Sequence, residues 1–182
     1  MDMSGILLEI VPRDRESLVA DARFAADDFP EITGINIPDL LRFDIRSWEA
    51  ASMIRDIHPN VMPHLRAMDF DMGDCGRLAD ALAAAKVSSV LVVRGDPPTD
   101  VSRRVYPTTS IKLLRGLKAA LPGTKVYAAV DQYRSGIKDE FDYIELKKDA
   151  GADGFMTQPF FDLRLIDIFA ERMRGTEVYI GI

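Results

Sequence analysis

Seven short runs rich in apolar and β-branched residues alternate with six amphipathic stretches along the chain, and this alternation restricts the fold more than any other feature. The strand candidates are 6–11 (ILLEIV), 32–37 (ITGINI), 61–67 (VMPHLRA), 88–95 (SSVLVVRG), 124–130 (TKVYAAV), 154–159 (GFMTQP) and 177–182 (EVYIGI). Helical patterns lie between them, near 14–28, 47–57, 73–86, 108–120, 138–150 and 162–174. In DCGRLADALAAAK, for example, Leu78, Leu82 and Ala85 recur at helical spacing and Lys86 closes the run. Lys147, Lys148 and Gly151 end another helix, with cations in the last turn and glycine just beyond. Strands separated by helices pair in parallel through crossovers. No linker or low-complexity segment divides the series, so residues 1–182 read as a single domain.

The repeat number selects among parallel architectures. A (β/α)8 barrel needs eight units and about 250 residues. Seven strands and six helices over 182 residues therefore predict an α/β fold of (β/α)8 TIM-barrel type that is incomplete or truncated. Its first and seventh strands would carry unpaired edges, so further sequence or a partner is expected to cover the gap. A hydrophobic content of 47% supports a real core. The net charge of −6 argues against general binding to nucleic acid or anionic membranes. The single cysteine, Cys75, excludes an internal disulfide and fits a reducing compartment. The opening MDMSGILLEIVPRD is interrupted by Glu9 and reads as neither signal peptide nor membrane span, so a cytoplasmic location is expected.

In parallel α/β barrels chemistry gathers at the C-terminal ends of the strands. Here Glu9 lies in the first strand, and His64 and Arg66 lie near the end of the third. Arg94 and Asp96 end the fourth, Asp131 and Gln132 follow the fifth, and Thr157 and Gln158 end the sixth. Buried polar groups are costly unless paired, so their convergence implies mutual pairing or a ligand. Structural readings stand beside the functional ones. Glu9 reads equally as an interior ion-pair partner of Arg94, Asp96 as a turn residue before two prolines, and His64 as a satisfied core group. His58 reads as loop, and Trp48 and the Phe160–Phe161 pair as packing. Cys75 has no neighbouring base in sequence, and two histidines with one cysteine offer no zinc-ligand spacing, so no metal is expected. The Gly-x-Gly-x-x-Gly and P-loop fingerprints do not occur.

VVRGDPP (92–98), then VYPTTSIKLLRGLK, then LKKDAGADGFMTQPFFD, in that order and spacing, resemble the methylenetetrahydrofolate reductase family. LLEIVPRD, VMPHLRAMD and EVYIGI are similar to its first, third and seventh strands. The resemblance implies a flavin-containing (β/α)8 barrel that reduces 5,10-methylenetetrahydrofolate to 5-methyltetrahydrofolate, with FAD as cofactor and NAD(P)H as electron donor. By matching position it implies that Glu9 is the general acid that protonates N10, and that Asp96 sits near both flavin and pterin. Gln158 would hydrogen-bond the pterin edge, with Phe160 beside the substrate. Arg94 and Gly95 would line the cofactor, His64 would adjoin the flavin, and Tyr106 and Lys147 would follow its ribityl and phosphate portion. The protein is expected to act as a homo-oligomer or as a subunit of a complex.

The chain also departs from the family pattern. The fifth strand runs into AAVDQYRSGIK where the family carries a Tyr-Pro-Glu-x-His-Pro segment around the flavin. Ile37 stands where a threonine is usual near the flavin ring, and Arg66 replaces another customary threonine. These changes fall mainly on the flavin half of the site. They keep open an alternative, a flavin-independent subunit that binds folate or transfers a methyl group within a larger one-carbon complex.

Overall fold

The computed structural model describes residues 5–100 and 102–182, so the opening residues 1–4 lie outside the described part. Seven strands, β1 (Ile6–Glu9), β2 (Ile32–Ile37), β3 (Val61–Arg66), β4 (Ser89–Val93), β5 (Lys125–Val130), β6 (Gly154–Pro159) and β7 (Glu177–Gly181), form one sheet in sequential order. Every neighbouring pair is parallel. The helices α1 (Arg15–Asp28), α2 (Ser47–Ile54), α3 (Cys75–Ala85), α4 (Ser110–Ala120), α5 (Ile137–Asp149) and α6 (Leu163–Arg172) make the crossovers. This is the (β/α) barrel type expected from the alternation.

The strands are shorter than their apolar runs where backbone chemistry stops the ladder. After β1, Ile10 N–H still donates to Asn36 O, but Pro12 has no N–H to continue. After β4, Gly95 turns to φ +83°, and Pro97 and Pro98 remove two further donors. α1 starts where Asp14 accepts from Ser17 N–H, and α4 where Thr109 accepts from Lys112 N–H.

Period-two alternation separates two packed layers. Outward residues such as Val90, Val92, Val126, Ala128 and Phe155 pack against Leu113, Leu117, Ile144 and Phe169 of the helices. A second outer cluster joins Ile35, Ile37 and Val61 to Leu18, Ala22 and Ile54. Inward residues Met62, Leu91 and Tyr127 gather with Leu7, Met156 and Tyr179. The curvature is direct to see: Asn36 Nδ2 on β2 lies 3.4 Å from Met156 Sδ on β6, across the interior. Among the described residues no pairing joins β1 to β7, and Ile6 and Leu8 are exposed beside that seam.

Candidate active site

The ends of β3 to β6 surround a cavity of about 440 Å³. His64 and Arg66 enter it from β3, and Arg94, Gly95 and Asp96 from the turn after β4. Ala129 lines it from β5 and Asp131 from just beyond that strand, Glu140, Tyr143 and Lys147 from α5, and Gln158 from β6. Eight of the residues singled out in the sequence, His64, Arg66, Arg94, Gly95, Asp96, Asp131, Lys147 and Gln158, therefore share one space. All but Lys147, which comes from α5, lie at four successive strand ends, because the parallel sheet aims every such end at the same rim.

Five others, Glu9, Tyr106, Gln132, Thr157 and Phe160, stand elsewhere. Glu9 does not line this cavity. It shares the inward face of β1 with Leu7 and is in register with Asn36, whose side chain reaches Met156 two positions before Gln158. Glu9 thus faces the barrel interior beside the seam, solvent-accessible, yet partial desolvation holds its carboxyl above the usual carboxylate range. Among the described residues no ion pair joins it to Arg94, so the structural pairing weighed from the sequence does not form. Tyr106 lines a separate surface groove with Met72, Thr108 and Lys112, its N–H donating to Met68 O and its ring under the Arg104 guanidinium at 4.9 Å. Phe160 turns its ring onto Phe169, with centroids 5.8 Å apart, and packs against the outer core, which leaves it off the cavity wall.

His64 is buried, and its Nε2 has no partner among the described residues. Burial pushes its pKa down to about 4, so the ring is neutral at ordinary pH. Its backbone carbonyl accepts from Ser47 Oγ at 2.5 Å, which fixes the start of α2 to β3. Beside it runs a chain of charges that the sequence alone did not reveal. Asp39, after β2, receives Arg46 through two bonds, and Arg46 also reaches Asp69 at 2.8 Å. Asp69 accepts from Arg66 Nε at 3.1 Å, and Arg66 Nη2 donates to the carbonyl of Asp96 at 2.6 Å. The ends of β2, β3 and β4 are tied together by this relay. Its members lie up to 57 positions apart, so no local pattern announces it.

α5 contributes a second polar group. Glu140 and Lys147 are 1% and 3% exposed at their side chains and pair at 3.0 Å. Lys147 Nζ also donates to Ala129 O at 2.7 Å and lies 4.2 Å from the centre of the Tyr143 ring. Two of the three ammonium donors thus have acceptors within the chain, and the charge lies over an aromatic face. Burial lowers the Lys147 pKa, and the Glu140 carboxylate opposes that shift. Glu140 Oε2 has no partner among the described residues. This pair had a legible signal: the seven-residue offset puts both on the helix face that carries buried Ile144. Tyr143 closes the group, its hydroxyl 2.6 Å from Ser110 Oγ at the start of α4. Among the described residues there is no cluster of three His, Cys, Asp or Glu able to hold a metal ion, and no helix long and apolar enough to cross a membrane.

Comparison with known proteins supplies the remaining findings. The family model described as methylenetetrahydrofolate reductase matches residues 42–182. No curated protein sequence matches the chain. Among solved structures, 2,3-dimethylmalate lyase, a PEP mutase/isocitrate lyase superfamily member, superposes with a TM-score of 0.71 at 16% identity, covering 96% of this chain and 65% of that one. Oxaloacetate acetylhydrolase gives 0.70 at 12%, with 96% and 65% covered. The carboxyl transferase domain of Rhizobium etli pyruvate carboxylase gives 0.66 at 13%, with 97% and 35% covered. At such identities the likeness is one of fold alone, and the chain spans less than two thirds of these proteins' length.

Proposed function

Since the chain belongs to the methylenetetrahydrofolate reductase family, we propose that it binds a reduced folate at the barrel mouth and reduces 5,10-methylenetetrahydrofolate to 5-methyltetrahydrofolate. NAD(P)H is the electron donor, FAD the cofactor, and the cytoplasm the place of action. The observation that carries this reading is the convergence of His64, Asp96 and Gln158, from three separate strand ends, on one cavity.

The chain's own residues divide the work. Gln158, exposed at the end of β6, offers donor and acceptor together, as the edge of a pterin requires. Asp96 stands across the mouth on a turn held by Arg66. Glu9, with its raised carboxyl pKa, retains a proton further toward neutrality than an ordinary glutamic acid and delivers it to N10 of the folate. The C–N10 bond of the five-membered ring then breaks and leaves an iminium carbon ready for hydride. Positioned acid catalysis of this type contributes on the order of 10²–10⁴ in rate.

The residues present fit the ring and ribityl portions of a flavin. His64 Nε2 and Glu140 Oε2 are buried, lack protein partners and belong to residues on the cavity wall, so each is suited to a bond from a bound molecule. A flavin held there supplies the hydride chemistry. Toward its phosphates Lys147 is already engaged by Glu140 and the Ala129 carbonyl, and Arg66, Arg94 and Arg134 are the other cations on the wall. The engagement of Lys147 within the chain favours a second reading, a folate-binding subunit that works without flavin.

Visible flavin absorbance in the gently purified protein separates the two readings. Glu9→Gln should abolish methylenetetrahydrofolate reduction and leave flavin reduction by NAD(P)H largely intact. Equal loss of both activities would contradict the acid role.

A further inference from the structure

Arg66 stands where the resemblance places a threonine, so its role has to be read from its own contacts. It projects inward from the last position of β3 and is only 10% exposed at its side chain, on the cavity wall. Its Nε donates to Asp69 Oδ2 at 3.1 Å. Its Nη2 donates to Asp96 O at 2.6 Å and lies 3.8 Å from Met68 Sδ. Those contacts fix one edge of a planar group, and planarity then fixes the direction of the other edge. Nη1, with two N–H donors, has no acceptor among the described residues.

The charge around Arg66 defines what such an acceptor is. Arg46 and Arg66 are matched by Asp39 and Asp69 within one relay, so the cluster is already neutral and calls for no further anion. Val93 and Ala129, on β4 and β5, add an apolar wall to the same cavity. A fixed donor pair beside such a wall suits a flat heterocycle with a carbonyl on its edge. Pterins and flavins share that cyclic amide carbonyl.

We infer that Arg66 is a ligand-binding residue that donates from Nη1 to the ring carbonyl of the heterocycle in the mouth, while its other edge braces the Asp96 turn. The inference rests on the proposed folate and flavin reading of this cavity. Gly95 accommodates the same arrangement: a Cβ there would lie 3.1 Å from Arg66 Cβ and 3.3 Å from Arg66 Cζ. The turn after β4 is therefore shaped around the guanidinium.

The test titrates the full chain with tetrahydrofolate, with its 4-amino analogue, in which the carbonyl becomes an amine, and with riboflavin. Arg66→Met and Arg66→Gln are compared with the unaltered protein, and urea midpoints identify the variant that stays folded. A site built to bond an acceptor rejects a ligand that lacks it. Loss of about 10–100-fold in affinity for tetrahydrofolate in the variant, together with loss of the preference over the 4-amino analogue, supports the assignment to the pterin. Loss of the same size confined to riboflavin assigns the contact to the flavin ring instead. Affinities for tetrahydrofolate and riboflavin both within twofold of the unaltered protein overturn the inference, as does an unaltered protein that binds tetrahydrofolate and its 4-amino analogue equally and shows no riboflavin effect. Binding of neither ring system by the unaltered protein overturns the folate and flavin reading itself, which is a distinct result.

Discussion

Replacing His64 by glutamine should make the protein less sensitive to mild acid. His64 is buried, with a pKa near 4 against 6.5 for an ordinary histidine. The cause is desolvation: the interior disfavours the imidazolium, and no carboxylate contacts Nε2 to offset this. Above pH 6.5 both folded and unfolded chains hold the ring neutral. Between 6.5 and about 4 the unfolded chain takes up a proton that the folded chain refuses, so stability falls as the pH falls through that window. Below about 4 both states are protonated and the loss is complete. A gap of this size at about 1.4 kcal/mol per pH unit predicts a loss of about 3 kcal/mol from this group. With a urea slope of about 2 kcal/mol per molar, the midpoint shifts by roughly 1.5 M. Trp48, the only tryptophan, lies 5.8 Å from Phe70 beside the core and reports unfolding by fluorescence. Every other group is common to both proteins, so the difference between the His64 and His64→Gln curves isolates this one. Parallel curves from pH 7 to 4 would refute the desolvation reasoning.

Lys147→Met should destabilise the fold by about 3–5 kcal/mol, because it strands the Glu140 carboxylate in a dry setting. The double variant Glu140→Gln with Lys147→Met should recover much of that loss in the same urea titration, and a double variant as unstable as the single would show that the charge pair is not the cause. Gln158→Ala should weaken folate binding by about 1–3 kcal/mol with an unchanged urea midpoint, since its side chain is exposed at the rim. A folate affinity indifferent to that substitution, measured by calorimetry, removes Gln158 from the site.

The sequence and the structure part company at identifiable places. The limits of β2 and β6 coincide with their apolar runs, because alternation and flanking turns act over a few residues. The two aromatics after β6 look equivalent as neighbours in the chain, yet Phe160 packs on Phe169 and Phe161 is 88% exposed. Which one is buried depends on how the chain leaves β6, where the pairing to β7 shifts register between Met156 and Pro159. Lys147 reads locally as a cation in a last helical turn, but the approach of β5 gives it the Ala129 carbonyl and removes it from water.

Local pattern by itself determined the order of strands and helices, their parallel pairing and the rim on which polar residues collect, since each follows from backbone geometry and near-neighbour hydrophobic spacing. Tertiary structure alone decided which of those polar groups spend their bonds on one another and which keep a bond to offer. Asp39, Arg46, Asp69 and Arg66 become a relay only when three strand ends close on one another. The direction of a guanidinium edge and the engagement of an ammonium are set by partners distant in the chain, where sequence spacing carries no information about distance.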